Sequence, residues 1–213
     1  MPYDYLDFVS TPAVRAAQAA NGSRQMWERL TLDRPSDRFG EDEAAFIATR
    51  DTFYMATVLE TGWPYVQHRG GPRGFLKVLD ETTLGFADFR GNRQYISLGN
   101  VAADDRVALI LMDYPNRARL KILAHMTAHD LEAEPELAER LALPDDKAKV
   151  ERGFVLRLQA FDWNCAQHIT PRYTAQEIAP AVTPLHARIA ALEAENQALR
   201  ERLQGGLGDR PST

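Results

Sequence analysis

The strongest constraint on the fold is a series of strand-like segments between residues 52 and 163, with little helical sequence between them. These segments are rich in β-branched and aromatic residues, and Gly and Pro clusters separate several of them. They cover residues 52–59, 65–69, 74–79, 83–88, 106–113, 119–129 and 153–163. Successive antiparallel strands with few helices between them favour a closed barrel over a parallel sheet. We therefore expect a mainly β fold, a six-stranded antiparallel β-barrel with flanking helices.

The flanking segments have helical patterns. Residues 1–50 predict a helical N-terminal arm, in which acids at 41–43 would occupy the first turn of a helix. Such an arm either caps the core or covers a site or a partner. Residues 205–213 predict a disordered tail.

Residues 184–204 carry a heptad pattern. Apolar side chains and one Asn recur at spacings of four and three: Leu185, Ile189, Leu192, Asn196, Leu199 and Leu203. This spacing is typical of a coiled-coil seam, and a polar residue at an a position such as Asn196 favours a two-stranded state. Two interpretations stay open: a parallel helix pair between two subunits, or a terminal helix lying on its own barrel.

Composition excludes several function classes. The 213 residues carry a formal net charge of −5, so no global basic field exists to hold nucleic acid or an anionic membrane. The longest apolar runs, such as 107–112, are too short to span a bilayer. The N-terminus lacks the pattern of a signal peptide. One cysteine, Cys165, suits a reducing compartment, so we expect a cytoplasmic protein with a small buried cysteine.

A glycine-rich, cationic stretch lies at residues 67–93. Its five cations exceed its three acids, although the whole chain is acidic. Residues 91–94 follow a strand and open a predicted helix, where free backbone N–H groups favour an anion. Arg93 adds a guanidinium suited to phosphate, and Lys77 on the preceding strand is a second candidate. These residues favour a phosphorylated ligand, although a solvated charged face with a helix cap at Asn92 explains them equally well.

The segments 74–81, 84–94 and 100–109 resemble the core of the pyridoxamine 5'-phosphate oxidase-like flavoproteins. Residues 161–172 are similar to the end of one bacterial branch of that superfamily. The resemblance covers residues 45–165 and implies a split β-barrel at 51–175. It also implies a homodimer that binds FMN where the two subunits meet.

The resemblance also implies which residues bind FMN. Lys77, Asn92, Arg93 and Gln94 match phosphate-binding positions, and Gly74, Phe75 and Leu76 fall where strand backbone faces the flavin ring. Asp88 lies at a position near the cofactor where the family often has Thr, and Arg119 matches a position that reaches FMN from the second subunit. The remaining candidates are Arg69, Trp163 and Gln167.

Departures from the family pattern bear on the function. Asp88 and Gln94 make the cradle less positive than in the oxidase itself, and Asp88 is expected to orient Arg90 or Arg93 rather than contact phosphate. The C-terminal substrate pattern of the true oxidase is missing. The resemblance therefore implies an FMN-dependent oxidoreductase of unknown substrate and electron donor, with no catalytic residue identified. A flavin carrier without turnover would have the same sequence features.

The histidines leave room for a different ligand. A haem-binding barrel would use His68, His125 or His168 as its axial ligand. In a flavoprotein, His68 would instead be a proton donor or a pocket wall. His125 and His129 are predicted to share one strand face, but no third ligand at motif spacing accompanies them, so we expect no metal site.

Overall fold

The computed structural model describes residues 5–29, 36–143, 149–163 and 167–207. Cys165 and the predicted tail beyond residue 207 lie outside these ranges. The chain divides into two units, residues 1–169 and residues 170–213.

The described residues include seven helices and seven strands. The helices are α1 (Tyr5–Val9), α2 (Pro12–Ala20), α3 (Arg24–Arg29), α4 (Glu41–Ala48), α5 (Ile96–Ala103), α6 (Pro135–Leu141) and α7 (Ala175–Leu207). The strands are β1 (Thr52–Val58), β2 (Pro64–Gly70), β3 (Lys77–Asp80), β4 (Thr83–Phe89), β5 (Arg106–Asp113), β6 (Ala118–His129) and β7 (Val150–Trp163).

All seven strands join one antiparallel sheet in the order β2-β1-β5-β6-β7-β4-β3. The expected mainly β, antiparallel architecture is confirmed. The sheet has seven strands where six are expected, and within the described residues its edge strands β2 and β3 do not pair, so it is open rather than closed. Each strand-like segment of the sequence forms a strand, including the short edge strand β3. β3 begins at Lys77 because the chain turns just before it: Gly74 has a φ of +75° and Phe75 donates its N–H to Pro72 at 2.9 Å.

The sheet curls around a single core. Phe53 on β1 lies edge-on to Phe86 on β4, with ring centroids 5.4 Å apart, although β5, β6 and β7 lie between these strands in the sheet order. Phe75 stacks on Phe53 at 5.4 Å, which places the residues before β3 in the same core. Strands from both ends of the sheet therefore bury their apolar faces together.

The first unit also contains the N-terminal helices. Glu43 of α4 caps its own helix by accepting the Gly40 N–H at 2.9 Å, and its second oxygen accepts the indole N–H of Trp163 at 2.6 Å. Phe46 packs edge-on against Trp163 at 4.7 Å. These contacts fix α4 against the end of β7.

The second unit consists of α7, which begins nine residues before the predicted 184–204 segment. Thr174 and Glu177 exchange hydrogen bonds in a capping arrangement that explains the earlier start. The helix includes Pro180 and Pro184 and continues through residues 205 and 206, where the sequence predicts its end.

Candidate functional site

An open cleft of about 200 Å³ lies between β2, the end of β4 and the segment that leads into α5. We call it the β2–β4 cleft. It is lined by Tyr65, Gln67, Arg69, Asp88, Phe89, residues 91–98 and Glu151. Five of the residues that the sequence predicts to bind a cofactor lie together here: Arg69, Asp88, Asn92, Arg93 and Gln94.

The loop between β4 and α5 forms one wall of the cleft. Asn92 accepts the backbone N–H of Gln94 at 3.1 Å, which closes an Asx turn. Arg93 and Tyr95 then adopt left-handed backbone conformations, with φ values of 61° and 54°. The helix therefore begins at Ile96 rather than at Asn92, and the sequence prediction of its start is wrong.

Helix α5 is fixed to the neighbouring strands by two polar contacts. Ser97 donates its hydroxyl to Gln67 of β2 at 2.9 Å, and the buried Asn100 donates to Thr57 of β1 at 2.8 Å. Because both ends of these bonds lie on regular elements, the loop that they support is held in place above the cleft.

A carboxylate between two guanidinium groups forms the floor of the cleft. Asp88 contacts Arg69 at 2.6 Å and Arg152 at 3.3 Å. Asp88 is 8% exposed, and its burial raises its pKa above the usual value, an effect that the attraction of Arg69 and Arg152 reduces without reversing. We expected Asp88 to orient Arg90 or Arg93. The ionic partners of Asp88 are instead Arg69 and Arg152.

The same cluster contains a buried donor without an acceptor. Among the described residues, the enclosed Nε–H of Arg69 makes no hydrogen bond, whereas the Arg152 Nε lies 3.3 Å from an Asp88 oxygen in an ion pair. The Arg69 guanidinium also lies over the rings of Phe86 and Phe154, at 5.7 Å from each centroid. The two arginines are therefore held in place by packing and charge, with hydrogen-bonding capacity left over.

The rim of the cleft combines charges of both signs. Glu151 lies 3.2 Å from Arg152 and 3.7 Å from Arg90, and it accepts the Tyr95 hydroxyl at 3.3 Å. The hydrogen bond between Arg93 and the Tyr95 hydroxyl raises the pKa of the exposed Arg93. The cleft lining holds two guanidinium groups, of Arg69 and Arg93, and two carboxylates, of Asp88 and Glu151. Arg90 and Arg152 do not line the cleft, but they lie against these carboxylates and bring the count around the cleft to four guanidinium groups for two carboxylates.

Among the residues of the site that are not predicted from the sequence are Gln67, Tyr95, Glu151 and Arg152. Gln67 and Tyr95 lie in or beside the segments that resemble the family, but neither residue type signals a ligand by itself. Glu151 and Arg152 come from the start of β7, about sixty residues after the loop, and only the pairing of Asp88 with Arg152 in the β4–β7 ladder brings them here.

A sequence model described as pyridoxamine 5'-phosphate oxidase matches residues 39–159, more than half of the chain. The matched range includes every strand except the last residues of β7, and it includes the whole β2–β4 cleft. The chain belongs to the pyridoxamine 5'-phosphate oxidase family. The resemblance inferred from the sequence is therefore confirmed at the level of the family.

Solved structures of low sequence identity resemble this member of the pyridoxamine 5'-phosphate oxidase family. A candidate pyridoxamine 5'-phosphate oxidase from Lactobacillus delbrueckii is 20% identical, with a TM-score of 0.46 over 62% of this chain and 97% of that one. HupZ of Group A Streptococcus is 11% identical, with a TM-score of 0.46 over 63% and 99%. An FMN-binding protein from Syntrophomonas wolfei is 13% identical, with a TM-score of 0.44 over 72% and 95%. No curated protein matches the chain in sequence.

The remaining family-derived candidates lie at several places. Phe75 lines a smaller pocket of about 150 Å³ that adjoins the cleft and shares Arg69 and Asp88 with it. Leu76 is buried in the core, and Gly74 forms the turn before β3. Lys77 pairs with Gly85, on which a Cβ would meet Leu141 of α6 at 2.8 Å. Lys77 therefore stands on the α6 side of the β3–β4 hairpin and does not line the cleft.

Trp163, Arg119 and Gln167 are not brought to the cleft within this chain. Trp163 contacts Glu43 and Phe46 as described above. Arg119 lies on β6 opposite Met112, and its buried Nε–H has no acceptor in the part of the chain that the structure describes. Gln167 is exposed after β7.

Three of the histidines have protein partners. His68 lines the smaller pocket and hydrogen-bonds Thr52 through its Nε2 atom. His125 contacts Asp105 at 2.8 Å, and His129 contacts Glu134 at 2.9 Å. Within the described ranges, no group of three or more His, Cys, Asp or Glu side chains is arranged to hold a metal ion. None of the helices described here has the length and apolarity needed to cross a lipid bilayer.

Proposed function

We propose that the β2–β4 cleft binds FMN through its phosphate and that the protein is an FMN-dependent oxidoreductase. One observation carries the proposal: the fold gathers Arg69, Asn92, Arg93 and Gln94 in one open cleft. The sequence pattern, independently of their positions in the fold, predicts these four as phosphate or cofactor ligands. Membership of the pyridoxamine 5'-phosphate oxidase family supports the same ligand.

The chemistry of the cleft fits a phosphate dianion. Arg90 and Arg152 offset the carboxylates of Glu151 and Asp88, and Arg93 is exposed and available for a charge-assisted hydrogen bond. Among the described residues, the enclosed Nε–H of Arg69 has no protein acceptor, so this donor of the cluster is left unsatisfied. Asp88 moderates the positive charge, so the cleft is suited to one phosphate monoester rather than to a polyphosphate.

The chain's own residues would then bind and orient the cofactor. Arg93 and the 92–94 turn hold the phosphate, and Arg69, fixed by Asp88, supports it from β2. Bound FMN supplies a hydride acceptor at its N5 atom, so the protein needs to contribute binding, orientation and exclusion of water. The buried Phe75 and the exposed His68 line the adjoining pocket.

We propose a homodimer as the active form, in which Arg119 contributes to the site of the second subunit. Trp163 and Gln167 stay predictions as residues that close over the flavin. Lys77, Gly74 and Leu76 stay predictions from the family pattern. We also propose a small-molecule substrate or electron donor and a cytoplasmic location, which the single cysteine supports. Because the C-terminal pattern of the true oxidase is missing, the substrate is proposed to differ from pyridoxamine phosphate.

A comparison of FMN with riboflavin tests the phosphate site. The purified protein should bind FMN much more tightly than riboflavin, measured by quenching of flavin fluorescence. Arg93→Ala should weaken FMN binding by about 2 kcal/mol, roughly thirtyfold, because one charge-assisted hydrogen bond is lost. The affinity for riboflavin should not change.

Arg117→Ala is the matched control. Arg117 is also an exposed arginine with a left-handed backbone, at a φ of 53°, but it lies in the turn between β5 and β6 and does not line the cleft. Its replacement should leave both affinities unchanged. Equal binding of FMN and riboflavin, or an unchanged FMN affinity in Arg93→Ala, would refute the phosphate assignment.

Redox assays separate the oxidoreductase from a flavin carrier. Reduction of bound FMN by NADH or NADPH, followed by reoxidation with a screened acceptor, is expected for the enzyme. A flavin that stays oxidised with every donor tested would indicate a carrier. An intense Soret band in place of flavin absorbance would indicate a haem-binding protein.

A further inference from the structure

Helix α7 carries a row of apolar side chains that its own unit leaves in solvent. Leu185, Ile189, Leu192, Leu199 and Leu203 are between 43% and 69% exposed. The helix is 33 residues long and forms a unit of its own. Apolar residues in this number on one helix face are typical of an interaction surface.

The heptad register extends further toward the N-terminus than residue 184. Seven residues before Leu185 lies Ile178, and seven residues before Ile189 lies Val182, so both continue the d and a positions in phase. Pro180 and Pro184 fall at f and c, on the outward side of the helix. The apolar seam therefore passes through the region of the prolines without a change of phase.

The charges beside the seam favour one arrangement of two helices. Arg188 and Glu195 occupy g positions, whereas Glu193 and Arg200 occupy e positions. In a parallel, in-register pair, each g residue meets the e residue of the next heptad on the other helix. Arg188 would then face Glu193 of the partner subunit, and Glu195 would face Arg200 of the partner subunit.

An antiparallel pair in which the two 185–203 seams overlap completely brings like charges together instead of opposite charges. In that arrangement g residues face g residues and e residues face e residues. Glu195 would face its own copy, Glu193 would face its own copy, and Arg188 would face Arg202 of the partner subunit. Each of these contacts joins like charges, which destabilises the pair.

The polar residue in the seam decides between the parallel pair and any antiparallel register. In the parallel pair Asn196 lies beside Asn196 of the partner subunit, where the two amides can hydrogen-bond each other. An antiparallel pair aligned over residues 178–203 would bring Arg188 opposite Glu195, but it would place Asn196 beside an apolar d residue and remove that partner. We propose that α7 pairs with α7 of a second copy of this chain as a parallel, in-register, two-stranded coiled coil.

Distances between spin labels test this geometry on the full-length chain. Cysteines are placed one at a time at the outward positions Ala187, Ala194 and Glu201, with Cys165→Ser in the background. A parallel pair gives the same short distance for all three labels. In an antiparallel pair of any register, the two labels at 187, or the two labels at 201, are separated from each other by about 21 Å or more along the axis. This follows because the two positions lie 14 residues apart and the helix rises ~1.5 Å per residue.

Charge exchange tests the specificity. The double variants Arg188→Glu/Arg200→Glu and Glu193→Arg/Glu195→Arg each place like charges across the parallel pair. Each alone should lose the short distance and weaken α7 pairing at least tenfold, and a mixture of the two should restore it. Glu201→Lys, which changes an outward charge, is the control and should pair normally.

Distances of the antiparallel pattern, or broad distances at all three positions, would overturn the proposal. Pairing that withstands both charge variants would overturn it as well. Pairing of α7 does not depend on the flavin, so uptake of FMN by the charge variants should match that of the unmodified chain. Failure of the coiled coil and failure of the FMN proposal are therefore distinguishable.

Discussion

Removal of the negative charge of Asp88 should change stability and ligand binding in opposite directions. Asp88→Asn keeps the shape of the side chain and an oxygen that can accept the Arg69 N–H, but it removes the counter-ion of two arginines. The side chains of Arg69 and Arg152 are 16% and 20% exposed, so water compensates for the lost charge only in part.

The expected loss of stability follows from this burial. Breaking a fully buried ion pair costs about 3–5 kcal/mol because the remaining charge is uncompensated. Here the arginines keep some solvent contact, and the desolvation cost that raises the pKa of Asp88 disappears with the carboxylate. We therefore expect the free energy of unfolding to fall by about 1–2 kcal/mol, measured by urea denaturation.

The affinity for FMN should rise in the same variant. Asp88 lines the cleft together with Arg93, so its charge repels a phosphate bound there. At a separation of ~8 Å and an effective dielectric constant of ~20, one unit charge contributes about 2 kcal/mol per phosphate charge before screening by salt. We expect roughly tenfold tighter FMN binding at low salt, with a smaller gain at high salt and no change for riboflavin.

Asp162→Asn provides the control. Asp162 forms an ion pair with Lys121 at 2.8 Å on β6 and β7, with both side chains more exposed and neither in the cleft. This variant should lose less than about 1 kcal/mol of stability, in the range of exposed pairs, and should bind FMN as the unmodified chain does. Weaker FMN binding by Asp88→Asn would refute the prediction, since it would mean that the carboxylate is needed to position Arg69.

Three further predictions concern stability, each measured by urea denaturation. Gly74→Ala should cost about 1–2 kcal/mol because of the left-handed backbone and the nearby Ala48 oxygen, whereas Gly99→Ala, in open space on α5, should stabilise by up to about 1 kcal/mol; equal effects would contradict this. Trp163→Phe should cost about 2 kcal/mol because the buried Glu43 loses a hydrogen-bond donor. Adding Glu43→Gln to Trp163→Phe should reduce that cost. Burial tends to raise the pKa of Asp113, but hydrogen bonds from Asn116 and the attraction of Arg50 outweigh it, so the folded-state pKa is lowered. The stabilisation from Asp113 should therefore be lost as pH falls below about 4. In Asp113→Asn the free energy of unfolding should depend less on pH in this range.

The strands could be predicted well from the sequence because they are rich in β-branched and aromatic residues and several are bounded by turn residues. All seven strand-like segments form strands, so the expected six-stranded barrel counts one strand too few, and the turn at Gly74 only moves the start of β3 to Lys77. Local signals thus located the strands, whereas their number in one sheet depended on the pairing.

The start of α5 could not be predicted from composition. Asn92 is a good helix cap in sequence, but its side chain closes an Asx turn and Tyr95 takes a left-handed conformation, which delays the helix to Ile96. The cluster around Asp88 was also beyond the sequence, because Arg152 reaches it only through the ladder between β4 and β7. The contact between Glu43 and Trp163, 120 residues apart, has the same cause.

The most direct test of FMN binding is the visible spectrum of the purified protein after incubation with excess FMN and removal of free flavin. We predict a yellow protein with flavin absorbance at about 450 nm, and mass analysis of the material released by heat should identify FMN. A colourless protein that retains no flavin under mild conditions would contradict the central claim that the β2–β4 cleft holds the phosphate of FMN.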